Sequence, residues 1–165
     1  MAYLTVEEMR KNPGAVESLD RARQGGTRFE GSTDLEAARK FLPKGGPLLE
    51  CGPVFGEFTR FLQSEGYKNI YALDFVDLLR FPDRSKVTFH EIDFNFETFP
   101  HQNGFFKGVC AWGIGEHLEN PFHFAREVHR VLVPGGIFIF SLPNVFHIMS
   151  RLLFLKRGMF PRWNA

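Results

Sequence analysis

The sequence predicts an α/β domain: a mostly parallel sheet sandwiched between helices in three layers. Three observations carry this expectation. From Pro47 onward, short apolar runs alternate with amphipathic helical stretches, the pattern of strand–helix–strand crossovers. The first run, Leu48-Leu49, enters a helix through a glycine turn, Glu50-Cys51-Gly52-Pro53-Val54-Phe55-Gly56. Three successive runs end at a carboxylate, Glu50, Asp74 and Asp93, and ligands of parallel sheets lie beyond the carboxyl ends of the strands.

Each element has its own signal. Thr5-Val6-Glu7-Glu8 fits a capping box, so a short helix is expected from Thr5. Asn12-Pro13 opens a second, through Ala15, Val16 and Leu19 to Gly25-Gly26. Ser32 or Thr33 caps a third, with Leu35, Ala38, Phe41 and Leu42 on one side and Pro43 at its end. Residues 1–46 thus read as a helical segment packed on the same domain as the core, 47–165. The helix after the glycine turn carries Phe58, Phe61 and Leu62 and stops at Gly66. Ile70 to Leu73 is a second strand, and Phe75 to Arg80 leaves room for one or two helical turns. Val87 to Ile92 is a third strand, and Phe94 to Gly104 is loop. Phe106 to Trp112 is a fourth strand. Asn120-Pro121 opens a helix through Phe124, Val128 and Leu132, closed by Pro134-Gly135-Gly136. Ile137 to Leu142 is wholly apolar, so burial on both faces is expected. A last helix runs from Val145 to Lys156.

The totals bound the function. A chain of 165 residues with 44% hydrophobic and 24% charged residues makes one globular domain and is not disordered. Its 20 Phe imply a bulky core with some rings left for a partner surface. A net charge of +1 gives no general pull toward nucleic acid or acidic membranes. Cys51 and Cys110 are expected as free thiols of a reducing compartment. No signal-peptide pattern opens the chain, and no run approaches the roughly 20 apolar residues of a membrane span. The expectation is a cytoplasmic protein with no membrane span and no nucleic-acid partner.

The strand-end acids discriminate among ligands. A dinucleotide pyrophosphate wants G-x-G-x-x-G and no acid beside the phosphates. Here Gly52 and Gly56 are spaced G-x-x-x-G, with Glu50 adjacent. An acid there suits a ligand bearing an ammonium and a sulfonium. Asp74 can take two ribose hydroxyls, Asp93 can accept from an adenine amino group, and Phe75 and Phe94 can flank the ring. That combination describes S-adenosyl-L-methionine.

The chain resembles the class I, Rossmann-like S-adenosylmethionine-dependent methyltransferases. The resemblance rests on LLECGPVFGEFTRFL, YALDF, HEIDFNFETFP and EHLENPFHFAREVHRVLVPGGIFIFSLPN, and covers Leu48 to the end. It implies a cofactor loop of Glu50, Gly52 and Gly56. It implies Asp74 at the ribose, Phe75 beside the adenine, Asp93 and Phe94 addressing the adenine, and Trp112 lining the methionine end. Methyl transfer is then mainly a matter of positioning a small-molecule or lipid-like acceptor. His117 is a candidate base for a hydroxyl acceptor.

Several positions depart from the family pattern. Val54 stands where the family has its middle glycine, and Phe55 adds bulk beside it. A β-branched residue avoids positive φ, so either the loop changes shape or the cofactor binds weakly. Lys107 replaces an aspartate before the fourth strand, and Gly113 replaces the first acid of a Glu-x-x-Glu-His metal signature. Glu116 and His117 alone are too few for a metal. The segment from Asp74 to Val87 is short, which opens the adenine side. The usual C-terminal hairpin is missing from the sequence, which leaves the fifth strand as an apolar edge. Another element or another chain is expected to cover it, by dimerisation or strand exchange, and the alternative is that the sequence is a fragment of a longer protein. A catalytically inactive methyltransferase-like binding or assembly module is therefore the alternative reading.

Overall fold

The computed structural model describes residues 33–158, apart from 143, 145 and 147. The helices expected at Thr5 and at Asn12-Pro13 lie outside the described residues. In chain order the elements are α1 (Thr33–Phe41), β1 (Leu48–Cys51), α2 (Glu57–Ser64), β2 (Ile70–Asp74), β3 (Val87–Glu91), β4 (Phe106–Trp112), α3 (Pro121–Val131), β5 (Leu132–Ser141) and α4 (Ile148–Arg157). Single 3-10 turns stand at Arg84–Lys86 and Gly115–His117.

The five strands form one sheet, ordered β3-β2-β1-β4-β5, in which every pair is parallel. Alternation along the strands divides the apolar side chains between the two faces. On one face Leu48, Ile70, Ala72, Cys110 and Trp112 pack with Leu35, Ala38 and Leu42 of the α1 segment and Phe58 and Leu62 of α2. On the other, Leu49, Cys51, Leu73, Val109 and Ala111 pack with Phe124, Val128 and Val131 of α3. The expected three-layer, Rossmann-like α/β sandwich is present, and both cysteines are buried and free.

The helix ends follow the sequence signals. Asn120 caps α3 by accepting from the His123 N–H at 3.1 Å, with Pro121 in the first turn. Gly66 follows α2 at φ 86° and donates its N–H to the Gln63 carbonyl, the left-handed stop that glycine adopts cheaply. Lys107 is exposed, and its stem lies across Gly46.

Three expectations need correction. Phe75 to Arg80 forms no helix. Asp77 Oδ1 accepts from the Leu79 N–H at 3.1 Å, and the Asp77 N–H donates to Glu91 Oε1 at 3.2 Å. These side chains satisfy the backbone locally and compete with a helix, while Phe81-Pro82 disfavours one downstream. Next, β5 begins at Leu132, directly after α3, and takes Pro134-Gly135-Gly136 into its irregular start. The pairing passes from Phe106↔Leu132 to Gly108↔Ile137, so three extra residues bulge from β5. Last, β5 is not buried on both faces: Ile137, Phe138 and Ile139 are half-buried and Phe140 is 52% exposed. Among the described residues it pairs only with β4 in the sheet.

Candidate functional site

The chain lays down β1, β2 and β3 in one direction, then crosses back to place β4 on the other side of β1. The carboxyl ends of β1 and β4 are therefore the switch point, where connections diverge and leave a crevice. Gly52 to Gly56 leaves β1 at this point, and Trp112 and Gly113 leave β4.

The glycine turn is held by β2. The Gly52 N–H donates to the Leu73 carbonyl at 2.8 Å. Asp74 Oδ2 accepts from the Val54 N–H at 3.3 Å, and Asp74 Oδ1 from the Phe75 N–H at 2.8 Å. Gly52 and Gly56 have φ of 73° and 82°, and Gly56 starts α2. Val54 has φ 52°, so this β-branched residue adopts the left-handed conformation natural to the glycine it replaces. Such a conformation costs about 1–3 kcal/mol and persists because the turn is bonded on both sides of it.

The three strand-end acids occupy different environments. Glu50 is 2% exposed, and its Oε2 accepts from the Thr59 hydroxyl of α2. Burial raises its carboxyl to about 8; the Thr59 bond opposes this and the Asp74 charge adds to it. Asp74 is 4% exposed, and burial raises it to about 6 against the Phe75 and Val54 N–H bonds. Asp93 is exposed; its Oδ1 accepts from the Asn95 N–H and its own N–H donates to Glu97. The aromatic candidates differ too. Phe75 is half-buried. Phe94 is 5% exposed and packs at 5.8 Å from Phe99 and 5.4 Å from Phe124. That leaves its ring little surface for an adenine. Trp112 is buried edge-on against Phe58 of α2, 4.9 Å between centroids. His117 is exposed on the 3-10 turn after β4, its N–H donating to the Ile114 carbonyl.

The turn thus gathers Glu50, Gly52, Gly56, Asp74 and Phe75, with Trp112 at the end of the adjacent strand. Asp93 and Phe94 follow β3, two places removed from β1. Four further residues matter here. Thr59 holds Glu50; it is a polar residue on the buried side of α2, beside Phe58 and Leu62. Ile114 covers Gly52: a Cβ on that glycine would come within 2.9 Å of Ile114 Cδ1. Phe81 and Leu79 cover Gly56 in the same way. Those three contacts come from loops whose path the sequence pattern does not specify.

The residues fit a cationic adenosyl ligand in charge. Asp74 and Asp93 supply the carboxylates, burial keeps Glu50 protonated, and no Lys or Arg occurs between Glu50 and Gly56. In shape, the contact on Gly52 is the far end of a flexible Ile114 side chain.

The fold and this turn define a Rossmann-like domain of the kind that seats an adenosyl cofactor. A methyltransferase-domain family model matches residues 25–164, so the chain belongs to that family. An S-adenosylmethionine-dependent methyltransferase from Mesorhizobium loti superposes with a TM-score of 0.60 at 26% identity, covering 72% of this chain and 56% of that one. An S-adenosylmethionine-dependent methyltransferase from Thermotoga maritima is alike in fold, with a TM-score of 0.65 at 20% identity, covering 86% and 64%. An uncharacterized protein of Methanocaldococcus jannaschii is 28% identical over 130 residues. The match covers 78% of this chain and 49% of that protein, so the chain spans about half the length of the curated relative it matches. The comparisons support S-adenosylmethionine as the cofactor.

Proposed function

We propose that this domain binds S-adenosylmethionine at the carboxyl ends of β1 and β2 and transfers its methyl group to a small-molecule or lipid-like acceptor. The observation that carries the reading is the Asp74 carboxylate bonded to the Val54 N–H at 3.3 Å. It fixes an acid-lined, left-handed turn at the switch point of the sheet. In this reading Asp74 accepts from ribose hydroxyls with its remaining lone pairs. Phe75 flanks the adenine, and Gly52 and Gly56 admit close approach of the backbone. Asp93, on its exposed loop, addresses the adenine amino group, with Phe94 supporting that loop from the core. Trp112 forms the floor at the methionine end. Glu50, held protonated by burial, braces the strand end against α2 through Thr59.

When bound, S-adenosylmethionine supplies a methyl group already activated on a sulfonium. The protein's task is to orient the acceptor and exclude water. His117, on the rim, takes the proton of a hydroxyl acceptor. Calorimetric titration with S-adenosylmethionine tests the binding step, and saturable one-site binding is expected; no heat at millimolar ligand would overturn the proposal.

One observation favours a second reading, an inactive methyltransferase-like binding or assembly module. Ile114 lies on Gly52, and Val54 carries a Cβ where the family has none. A pocket kept closed by Ile114 would leave the fold without its chemistry. Ile114→Ala separates the two readings: in the active one the parent binds and the variant binds with altered affinity, and in the inactive one the parent does not bind and only the variant, its pocket opened, does.

A further inference from the structure

The connection from β3 to β4 contains a short flap with one inward side chain. Phe99 and Phe106, both buried, anchor it at either end. Between them Pro100, Gln102, Asn103 and Gly104 are exposed, while His101 turns its ring inward. That ring lies 4.8 Å from Phe106, 5.4 Å from Tyr71 of β2 and 5.3 Å from His90 of β3, and it stacks on Phe105 at 5.9 Å, all between centroids. Both ring nitrogens are buried, and among the described residues neither has a hydrogen-bond partner. Arg130 of α3 holds the flap from beneath. Its Nη1 donates to the His101 carbonyl at 2.7 Å and to Asn103 Oδ1 at 2.9 Å, and its Nη2 donates to the Phe99 carbonyl at 2.9 Å.

An imidazole seated among rings without a polar partner is tolerated only as the neutral form. The titratable and charged groups around it are Tyr71 on β2, His90 on β3, and Arg130 and Glu127 on α3. Glu127 is committed to Arg130 and to the Phe99 N–H, while His90 and Arg130 both oppose a charge on the ring. Burial first, then those two neighbours, hold His101 down to about 4, against an ordinary 6.5. Above the ordinary value the seated and released rings are both neutral, and pH has no leverage. As pH falls below it, a released ring takes a proton that the seated ring refuses, so opening gains.

We propose that the flap at residues 100–104 is a latch released by acid: protonation of His101 turns its ring out from among Tyr71, Phe105 and Phe106, and the flap opens while the sheet stays folded. Opening uncovers apolar rings at the amino end of β4. The glycine turn lies at the opposite, carboxyl end of the sheet, so this latch is independent of the cofactor reading.

Hydrogen-exchange mass spectrometry of the full chain at pH 7.5 and pH 5, corrected for the intrinsic rates, tests it. The reporters are the N–H groups of His101, Gly104 and Phe105, bonded to the Phe99, Arg130 and Val131 carbonyls. Opening of this segment should rise at least about tenfold at pH 5, while β1 and α2 keep their protection. His101→Phe keeps a ring and removes the proton site, so its flap should lose the acid response; His101→Leu serves if circular dichroism shows that the first variant does not fold. His90→Gln removes one opposing neighbour and should keep the response in weakened form. The proposal is overturned if the parent segment is equally protected at both pH values, or if β1 and α2 lose protection together with it. It is also overturned if the His101 variant opens in acid as the parent does, or if His90→Gln alone abolishes the response.

Discussion

The chain contains the same dipeptide twice, and the fold uses the two copies differently. Asp74-Phe75 and Asp93-Phe94 each follow an apolar run, and the sequence gives both the same reading. Asp74 is the last residue of β2, beside β1, and its carboxylate crosses to the glycine turn. β3 stops at Glu91, which pairs with Asp74 in the ladder. Asp93 lies two residues past that end, on the edge strand, where its carboxylate bonds its own loop. The aromatic partners differ in parallel: Phe75 stays half-buried, while Phe94 turns into the core between Phe99 and Phe124. A strand-end acid acquires a cross-strand role only when it terminates the ladder next to the switch point. A two-residue offset at the sheet edge turns it into a loop brace.

The largest difference should appear in stability. Phe94→Ala removes a ring from a closed aromatic cluster and should cost about 3–5 kcal/mol. Phe75→Ala, at a half-buried position, should cost well under half of that. Urea unfolding of both variants checks the ranking, and equal losses would break the contrast.

Next comes Asp74→Ala. It leaves the Val54 and Phe75 N–H groups without their acceptor and should cost about 1–3 kcal/mol. Asp93→Ala, exposed to water, should stay within about 0.5 kcal/mol of the parent.

Glu50 sharpens the picture through pH. Its folded carboxyl holds its proton to about 8, against an ordinary 4.5. Between those values the native state keeps a proton that the unfolded chain has lost. Its contribution to stability therefore falls as pH rises through that window, by up to about 1.4 kcal/mol per pH unit. Glu50→Gln should flatten this slope in denaturation curves at pH 5, 7 and 9; an unchanged slope would assign it to other groups.

A modest effect of the opposite sign is expected at Val54. Val54→Gly removes a left-handed β-branched residue but adds freedom to the unfolded chain. A net gain of about 1 kcal/mol is expected, with tighter cofactor binding. A loss on both counts would mean that the turn is not strained there.

Much of this was legible in the sequence. The alternation after Pro47, the helix opening at Asn120-Pro121 and the stop at Gly66 are local signals with local physical causes, and the structure follows them. The turn from Glu50 to Gly56 was readable because glycine spacing and strand-end acids survive as residue types. Burial of β5 was misread because an apolar run does not reveal whether its strand is central or at an edge. The Ile114 contact on Gly52, the Thr59 bond to Glu50 and the burial of Phe94 depend on how distant segments meet. No spacing rule encodes such meetings.

The central claim is that the cofactor site belongs to β1 and β2, with β3 peripheral. Isothermal titration of S-adenosylmethionine into the parent chain, Asp74→Ala and Asp93→Ala tests it directly. One saturable site is expected in the parent, with affinity reduced at least about tenfold in Asp74→Ala, the loss of one charge-assisted contact. Asp93→Ala should stay within about threefold of the parent. No binding by the parent chain, or an Asp93→Ala loss as large as that of Asp74→Ala, would contradict the account.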